Sequence, residues 1–135
     1  MSAANDFISA ESKNIRKTAE MIKELLEKQA LTKYETIALG KLLQDIYSGI
    51  ERILRTLLES KGIATNKTES WHKELLINAK KYSVISKAEF DVFRNLLLFR
   101  HIQIHGYGFM LDEKRLRQLG GLIPTVCRDF LQKIL

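Results

Sequence analysis

Residues that break helices or cross-link a chain are scarce in this sequence of 135 residues. It contains one proline, Pro124, and one cysteine, Cys127, so no disulfide can form within the chain. A single thiol is typical of proteins in a reducing compartment. The apolar neighbours Val126 and Phe130 predict that this thiol is buried and unreactive.

Several classes of sequence motif are also absent. No apolar run approaches the length of a membrane span, and the first residues lack the basic and apolar regions of a secretory signal. The sequence contains no CxxC pair, no HExxH and no glycine-rich phosphate-binding loop. We therefore expect a cytoplasmic protein that does not contact membranes and that needs no metal ion and no cofactor.

The charge is moderately basic. Lysine and arginine number 22 against 16 acidic residues, which gives a formal net charge of +6. Such an excess favours an acidic partner, and RNA, DNA and an acidic protein are the candidate classes. A soluble domain with an ordinary basic surface would show the same totals, so charge alone leaves the partner open.

Apolar residues recur at helical spacing along almost the whole chain, without the alternation that indicates a strand. The spacing predicts helices over residues 6–28, 33–60 and 71–80, and a fourth helix between Ser86 and Gly106. A final segment begins at Asp112 and should break or kink near Gly120 and Pro124. Short connections favour antiparallel neighbours, so we predict one all-α domain over residues 1–135, an up-and-down bundle of about five helices.

Local signals at the helix ends support these boundaries. Ser70 is a predicted N-cap, and Ser86 with Glu89 three residues later forms a predicted capping box. Gly62 is predicted to end the second helix. Gly49 lies within an apolar stripe of that helix and predicts a close approach of another helix.

The densest group of chemically reactive side chains spans eight residues. It holds the guanidinium of Arg100, the imidazoles of His101 and His105 and the phenol of Tyr107. On a continuous helix the two histidines share a face, whereas positions 100 and 105 are about 140° apart. Arg100 and His105 can converge if the helix ends near His105, if the arginine side chain bends over, or if a two-fold related subunit contributes one of them.

An arginine and a histidine together can cleave RNA without a metal ion. The imidazole takes the proton of the 2′-hydroxyl, which attacks the adjacent phosphorus, and the guanidinium stabilises the negative charge that develops. The expected products carry a 2′,3′-cyclic phosphate. The same spacing also arises by chance in helical proteins, and a histidine at a helix end can simply cap carbonyl groups.

Longer segments carry a family resemblance. They are FRHIQIHGYGF at residues 99–109, followed by Leu111-Asp112 and Arg115-Leu116, with YSGIERIL at 47–54 and WHKELL at 71–76 upstream. Together these segments resemble the HEPN ribonuclease toxins of the HepT type. The resemblance covers most of the chain between about Leu39 and Leu119.

The resemblance implies a helical bundle that forms a homodimer with both active sites facing one cleft. It implies a metal-independent endoribonuclease, the toxin of a type VII toxin–antitoxin pair, with an MntA-like nucleotidyltransferase as its antitoxin. Arg100 and His105 would be catalytic, and His101 would support or orient them. Tyr107 would be the residue to which the antitoxin attaches AMP, which blocks RNA. Without the resemblance, the favoured interpretation of Tyr107 is a packing residue at a helix end.

Other residues and functions remain open. Arg94, Lys114 and Arg115 are possible RNA contacts. The alternative for Lys114 and Arg115 is a solvated helix face, and an exposed helix charge is the favoured interpretation of Arg94. His72 is predicted to be exposed or to cap a helix. The alternative functions are a non-catalytic helical module that binds a nucleotide or a protein, and an antidote to a toxic nucleotidyltransferase.

Overall fold

Five α-helices form the regular structure in the computed structural model, which describes residues 2–107 and 111–134, with only the backbone at 103–105. The helices are α1 (Ala3–Leu26), α2 (Lys33–Ser60), α3 (Trp71–Lys81), α4 (Lys87–His105) and α5 (Glu113–Ile134). These ranges contain no strand, which confirms the predicted all-α class and its five helices. No helix among the described residues is long and apolar enough to cross a membrane.

Side-chain and backbone caps define the ends of two helices as predicted. The Ser86 hydroxyl accepts the backbone N–H of Glu89, and the Glu89 carboxylate accepts the backbone N–H of Ser86. At the end of α2, Gly62 adopts a φ of 81°, and the N–H of Ile63 donates to the carbonyl of Leu58 at 3.0 Å. This is the Schellman pattern, for which glycine is favoured because a positive φ strains other residues.

The start of α3 differs from the predicted cap. Ser70 occupies the N-cap position, but its side chain accepts no backbone N–H of the helix. Its hydroxyl instead donates to the Glu74 carboxylate at 3.3 Å. The backbone at Ser70, with φ −106° and ψ 24°, is not the extended conformation from which a serine usually caps a helix.

Of the predicted break or kink in the last segment, the break is wrong, because α5 runs without interruption through Pro124. Proline removes one helical hydrogen bond, but α5 buries a continuous apolar face against the bundle. Gly120 permits close contact with α1, since a Cβ there would lie 3.3 Å from side-chain atoms of Ile22 and Leu26. Burial of this face outweighs the local preference of Gly120 and Pro124 for a break.

Helix α2 is the centre of the bundle and contacts the other four helices. Its apolar stripe is almost completely buried, and the buried members are Leu39, Leu43, Ile46, Tyr47, Ile50, Ile53, Leu54 and Leu58. Gly49 allows α1 to approach as predicted, since a Cβ at Gly49 would lie 2.8 Å from Cγ1 of Ile15. Beside this contact, Arg52 donates to Glu11 of α1 at 2.8 Å.

The lone thiol, Cys127, is buried in α5 as the sequence predicts. Burial raises its pKa to about 12. Because the thiolate is the reactive form, this cysteine is unreactive near neutral pH.

Candidate active site

Helix α4 carries the reactive segment to the end of the bundle. It remains helical through His105, and Gly106 follows in an extended conformation with φ −115° and ψ 175°. Positions 100 and 105 therefore stay about 140° apart around the helix axis. The His105 side chain lies outside the described residues, so its convergence with Arg100 remains a prediction.

Arg100 lies on the inward side of α4. It follows the buried Leu96 by four residues and the buried Phe93 by seven, so all three share one side of the helix. The residue is half-buried. Among the described residues it donates no hydrogen bond and forms no ion pair. A half-buried guanidinium without a protein partner is suited to grip a phosphate through its planar fork of donors.

The charge of this guanidinium acts on the buried hydroxyl of Tyr47. Burial raises the pKa of Tyr47 well above its ordinary value, the negative charge of Glu51 acts in the same direction, and Arg100 opposes the shift. Glu51 is near the hydroxyl but outside hydrogen-bonding geometry. The hydroxyl therefore has no hydrogen-bond partner in the described part of the chain. Buried polar groups are usually paired, so an unpaired one indicates a constraint other than stability.

Glu51 and His72 form a pair that joins α2 to α3. The Nδ1 atom of His72 lies 2.6 Å from Oε2 of Glu51. The two side chains are 24% and 12% exposed, and the His72 ring stacks against Trp71 with a centroid distance of 3.8 Å. His72 is thus neither fully exposed nor a helix cap, which corrects the sequence prediction.

No local sequence signal could have identified this pair. Glu51 and His72 are 21 residues apart and belong to different helices. The only indication was that both lie in segments that carry the family resemblance. Their contact depends on how α2 and α3 pack, and periodicity does not determine that packing.

Two other reactive residues of the segment, His101 and Tyr107, are accessible at the surface. His101 is exposed, and Tyr107 is 70% exposed. On the same side of α4 as His101, the apolar residues Leu98 and Ile102 are each 49% exposed. This outward side therefore combines an imidazole with two large apolar side chains that the described chain leaves uncovered.

Arg94 borders a groove between α3 and α4, six residues before Arg100. The groove has a volume of about 220 Å³, and Lys73 lies opposite Arg94 on its rim. Both cations are exposed, and neither forms an ion pair within the described ranges. Its remaining lining is apolar and consists of Leu76, Ile77, Phe90 and Leu97.

The basic residues at the start of α5 have separate roles. Lys114 and Arg115 are exposed. Arg117 instead pairs with Glu113 at 2.9 Å and donates to the carbonyl of Lys28 at 2.9 Å. Arg117 therefore ties α5 to the end of α1, whereas Lys114 and Arg115 remain possible RNA contacts.

No group of three or more His, Cys, Asp or Glu side chains in the described ranges is arranged to hold a metal ion.

Comparison with family models gives a match to a HepT-like protein family over residues 38–135. Searches of curated proteins and of solved structures return no match. The matched region includes most of α2 and the whole of α3, α4 and α5. It contains every site residue described above. The chain therefore belongs to the HepT-like family, and its five-helix bundle is HEPN-like.

Proposed function

We propose that this protein is the RNA-cleaving toxin of a prokaryotic HEPN-type toxin–antitoxin pair, acting in the cytoplasm without a metal ion. The family is associated with such systems. The observation that carries the proposal is Arg100, a half-buried cation without a protein partner among the described residues, in the motif Arg-x₄-His-x-Tyr. Leaving such a charge unpaired is unfavourable unless a ligand anion compensates for it.

In the proposed reaction, Arg100 binds the scissile phosphate and stabilises its developing charge. His105 takes the proton of the neighbouring 2′-hydroxyl, and the 2′-oxygen attacks phosphorus. The bond from phosphorus to the 5′-oxygen breaks. The products are a 2′,3′-cyclic phosphate and a 5′-hydroxyl. His101, four residues before His105 on the same helix face, supports the orientation of the substrate.

The α3–α4 groove extends this site along the RNA. Its apolar floor can receive the face of a base, while Lys73 and Arg94 attract flanking phosphates. Lys114 and Arg115 can add phosphate contacts from α5. Contacts of this kind do not depend on the RNA sequence.

A homodimer completes the proposed site. Leu98 and Ile102 form an exposed apolar strip beside His101. Pairing this strip with its two-fold copy would remove it from water and bring two motifs to one cleft. Leu98→Glu should therefore convert the dimer to a monomer in sedimentation experiments, and a dimer that persists would contradict this interface.

Tyr107 is the proposed control point. Its 70% exposure gives a nucleotidyltransferase access to the phenol oxygen. An attached AMP adds bulk and negative charge beside a site that must receive phosphate. After co-expression with a neighbouring MntA-like nucleotidyltransferase, the intact mass should rise by whole AMP units, and Tyr107→Phe should show no rise.

Purified protein tests the activity directly. The wild type should cleave RNA in the presence of a chelator and leave 2′,3′-cyclic phosphate ends. His105→Ala should slow cleavage by about 10²–10⁴-fold, because it removes acid–base catalysis, and it should relieve growth arrest. Lys41→Ala, on α2 and distant in sequence from the motif, is the control and should cleave normally.

Two outcomes would favour the other functions. RNA binding without cleavage, unchanged by His105→Ala, would indicate a non-catalytic binding module. Growth arrest by the nucleotidyltransferase alone, relieved by this chain, would make the chain an antidote.

A further inference from the structure

We infer that His72, held in place by Glu51, is a second proton-transfer residue of this site and protonates the oxygen that leaves phosphorus. The inference rests on the proposed RNA cleavage. It assigns a catalytic residue on α3, outside the motif at the end of α4. Glu51 is then a positioning residue, because it acts through the imidazole of His72.

The packing of α3 and α4 brings His72 to the same end of the bundle as Arg100. The two helices are joined by a short connection, residues 82–86, and Lys73 and Leu97 line one groove between them. The first turn of α3 therefore lies near the last turns of α4. His72 directly precedes Lys73, and Arg100 lies one turn beyond Leu97.

Helix α2 independently links the same groups. Glu51 accepts the contact from His72 and lies one turn after Tyr47. The buried hydroxyl of Tyr47 is close enough to both Glu51 and Arg100 to respond to their charges. Glu51 is thus in contact with His72, and the charges of Glu51 and Arg100 both act on the Tyr47 hydroxyl.

The hydrogen bond to Glu51 prepares the imidazole for proton transfer. Contact through Nδ1 fixes the orientation of the ring and leaves Nε2 available for a second hydrogen bond. Among the described residues, no hydrogen-bond partner is present for Nε2. The ring is 24% exposed, so a substrate oxygen can reach it. The carboxylate also compensates the charge of the ring while it is protonated.

Cleavage of RNA needs two proton transfers, and the motif histidine supplies only one of them within a protomer. His105 accepts the 2′-hydroxyl proton as the new bond from the 2′-oxygen to phosphorus forms. As the bond to the 5′-oxygen breaks, that oxygen takes the proton from Nε2 of His72. Exchange with water then returns a proton to His72 and removes one from His105.

A sulfur-containing substrate separates this role from a structural one. RNA with sulfur in place of the bridging 5′-oxygen has a leaving group that needs no protonation. His72→Asn retains a side-chain N–H at the position of Nδ1, so it can keep the contact with Glu51. We expect His72→Asn to cleave ordinary RNA at least about 10²-fold more slowly and to cleave the sulfur substrate within a few-fold of the wild type. His105→Ala should slow the cleavage of both substrates.

The pH profile gives a second readout. The wild-type rate should fall on the alkaline side as the acid loses its proton, and His72→Asn should lack this fall. Glu51→Gln should lower the rate of RNA cleavage, and this rate should still fall on the alkaline side. Should His72→Asn fold poorly, as judged by circular dichroism, His72→Gln serves in both experiments.

Glu11→Gln is the matched control. Glu11 also pairs across helices, with Arg52, and its side chain is 13% exposed against 12% for Glu51. The control should cleave both substrates at the wild-type rate. If the wild type cleaves RNA but His72→Asn is normal, or slows both substrates equally, only the inference about His72 is overturned. If the wild type cleaves neither substrate, the proposed function fails as well.

Discussion

Two adjacent residues of α2, Glu51 and Arg52, face surfaces of opposite character. Arg52 faces α1, where it pairs with Glu11 beside the close contact of Gly49 with Ile15. On this seam Arg52 and Glu11 match in charge, and the two helices approach closely at Gly49. Glu51 faces α3 and α4.

The surface near Glu51 keeps polar groups that the described chain does not satisfy. The Tyr47 hydroxyl is buried without a partner, and Arg100 is half-buried without an ion pair within the described ranges. Both features oppose stability. Departures from the rules of stable packing concentrate at functional sites, so the contrast supports the proposal that the α2–α3–α4 face is the site and the α1–α2 seam is scaffold.

Replacing one arginine on each surface with alanine should give the largest difference between the two surfaces. Arg100→Ala should reduce RNA cleavage by about 10²–10³-fold, the usual effect of removing one donor to a developing negative charge. Because Arg100 has no described partner, thermal stability should change little. Arg52→Ala should retain cleavage and lose at most about 1 kcal/mol of unfolding free energy, as is usual for an exposed ion pair. Equal RNA cleavage by the two variants would contradict the division into a scaffold seam and a functional face.

Adding a methyl group at the α1–α2 seam should affect the stability of the protein and leave RNA cleavage unchanged. Gly49→Ala should cost about 1–3 kcal/mol of unfolding free energy, because the added methyl group would overlap Ile15 in a packed interface. Gly121→Ala is the control, since no atom lies within 4 Å of a Cβ there. That variant should gain about 0.5–1 kcal/mol, because alanine favours the helix. Denaturant titration measures both changes, and a neutral Gly49→Ala would show that the seam can relax.

Removing the Tyr47 hydroxyl should sharpen the contrast between the α1–α2 seam and the α2–α3–α4 face. Tyr47→Phe keeps the buried ring and removes the unsatisfied polar atom, so the unfolding free energy should rise by about 1 kcal/mol. The measurement is again a denaturant titration. A clear loss of stability would mean that the hydroxyl is paired in solution.

The groove between α3 and α4 should give the smallest effect. Lys73→Ala and Arg94→Ala should each weaken the binding of single-stranded RNA. Each should also reduce the magnitude of the salt slope of log K by about 0.7, the value for one phosphate contact on a single strand. Fluorescence anisotropy over a range of salt concentrations, with His105→Ala used throughout to prevent cleavage, checks this. An unchanged slope would exclude the groove as part of the RNA path.

Much of the fold could be predicted because its signals are local. The bounds of α2, the capping box at Ser86 and the glycine turn at Gly62 each depend on residues within a few positions of one another. The break predicted near Pro124 failed because burial of a whole helix face overrode a local preference. His72 was misjudged because its partner is 21 residues away.

The sequence by itself determined that this chain forms helices, where most of them begin and end, and that Arg100, His105 and Tyr107 lie within one short segment. Hydrogen bonds between residues three or four positions apart set those features. Only the tertiary structure decided that Arg100 lies on the inward side of α4 and that Glu51 contacts His72. It also decided that the Tyr47 hydroxyl is buried without a partner among the described residues. These relations depend on the packing angles and register of whole helices, which no short stretch of sequence specifies.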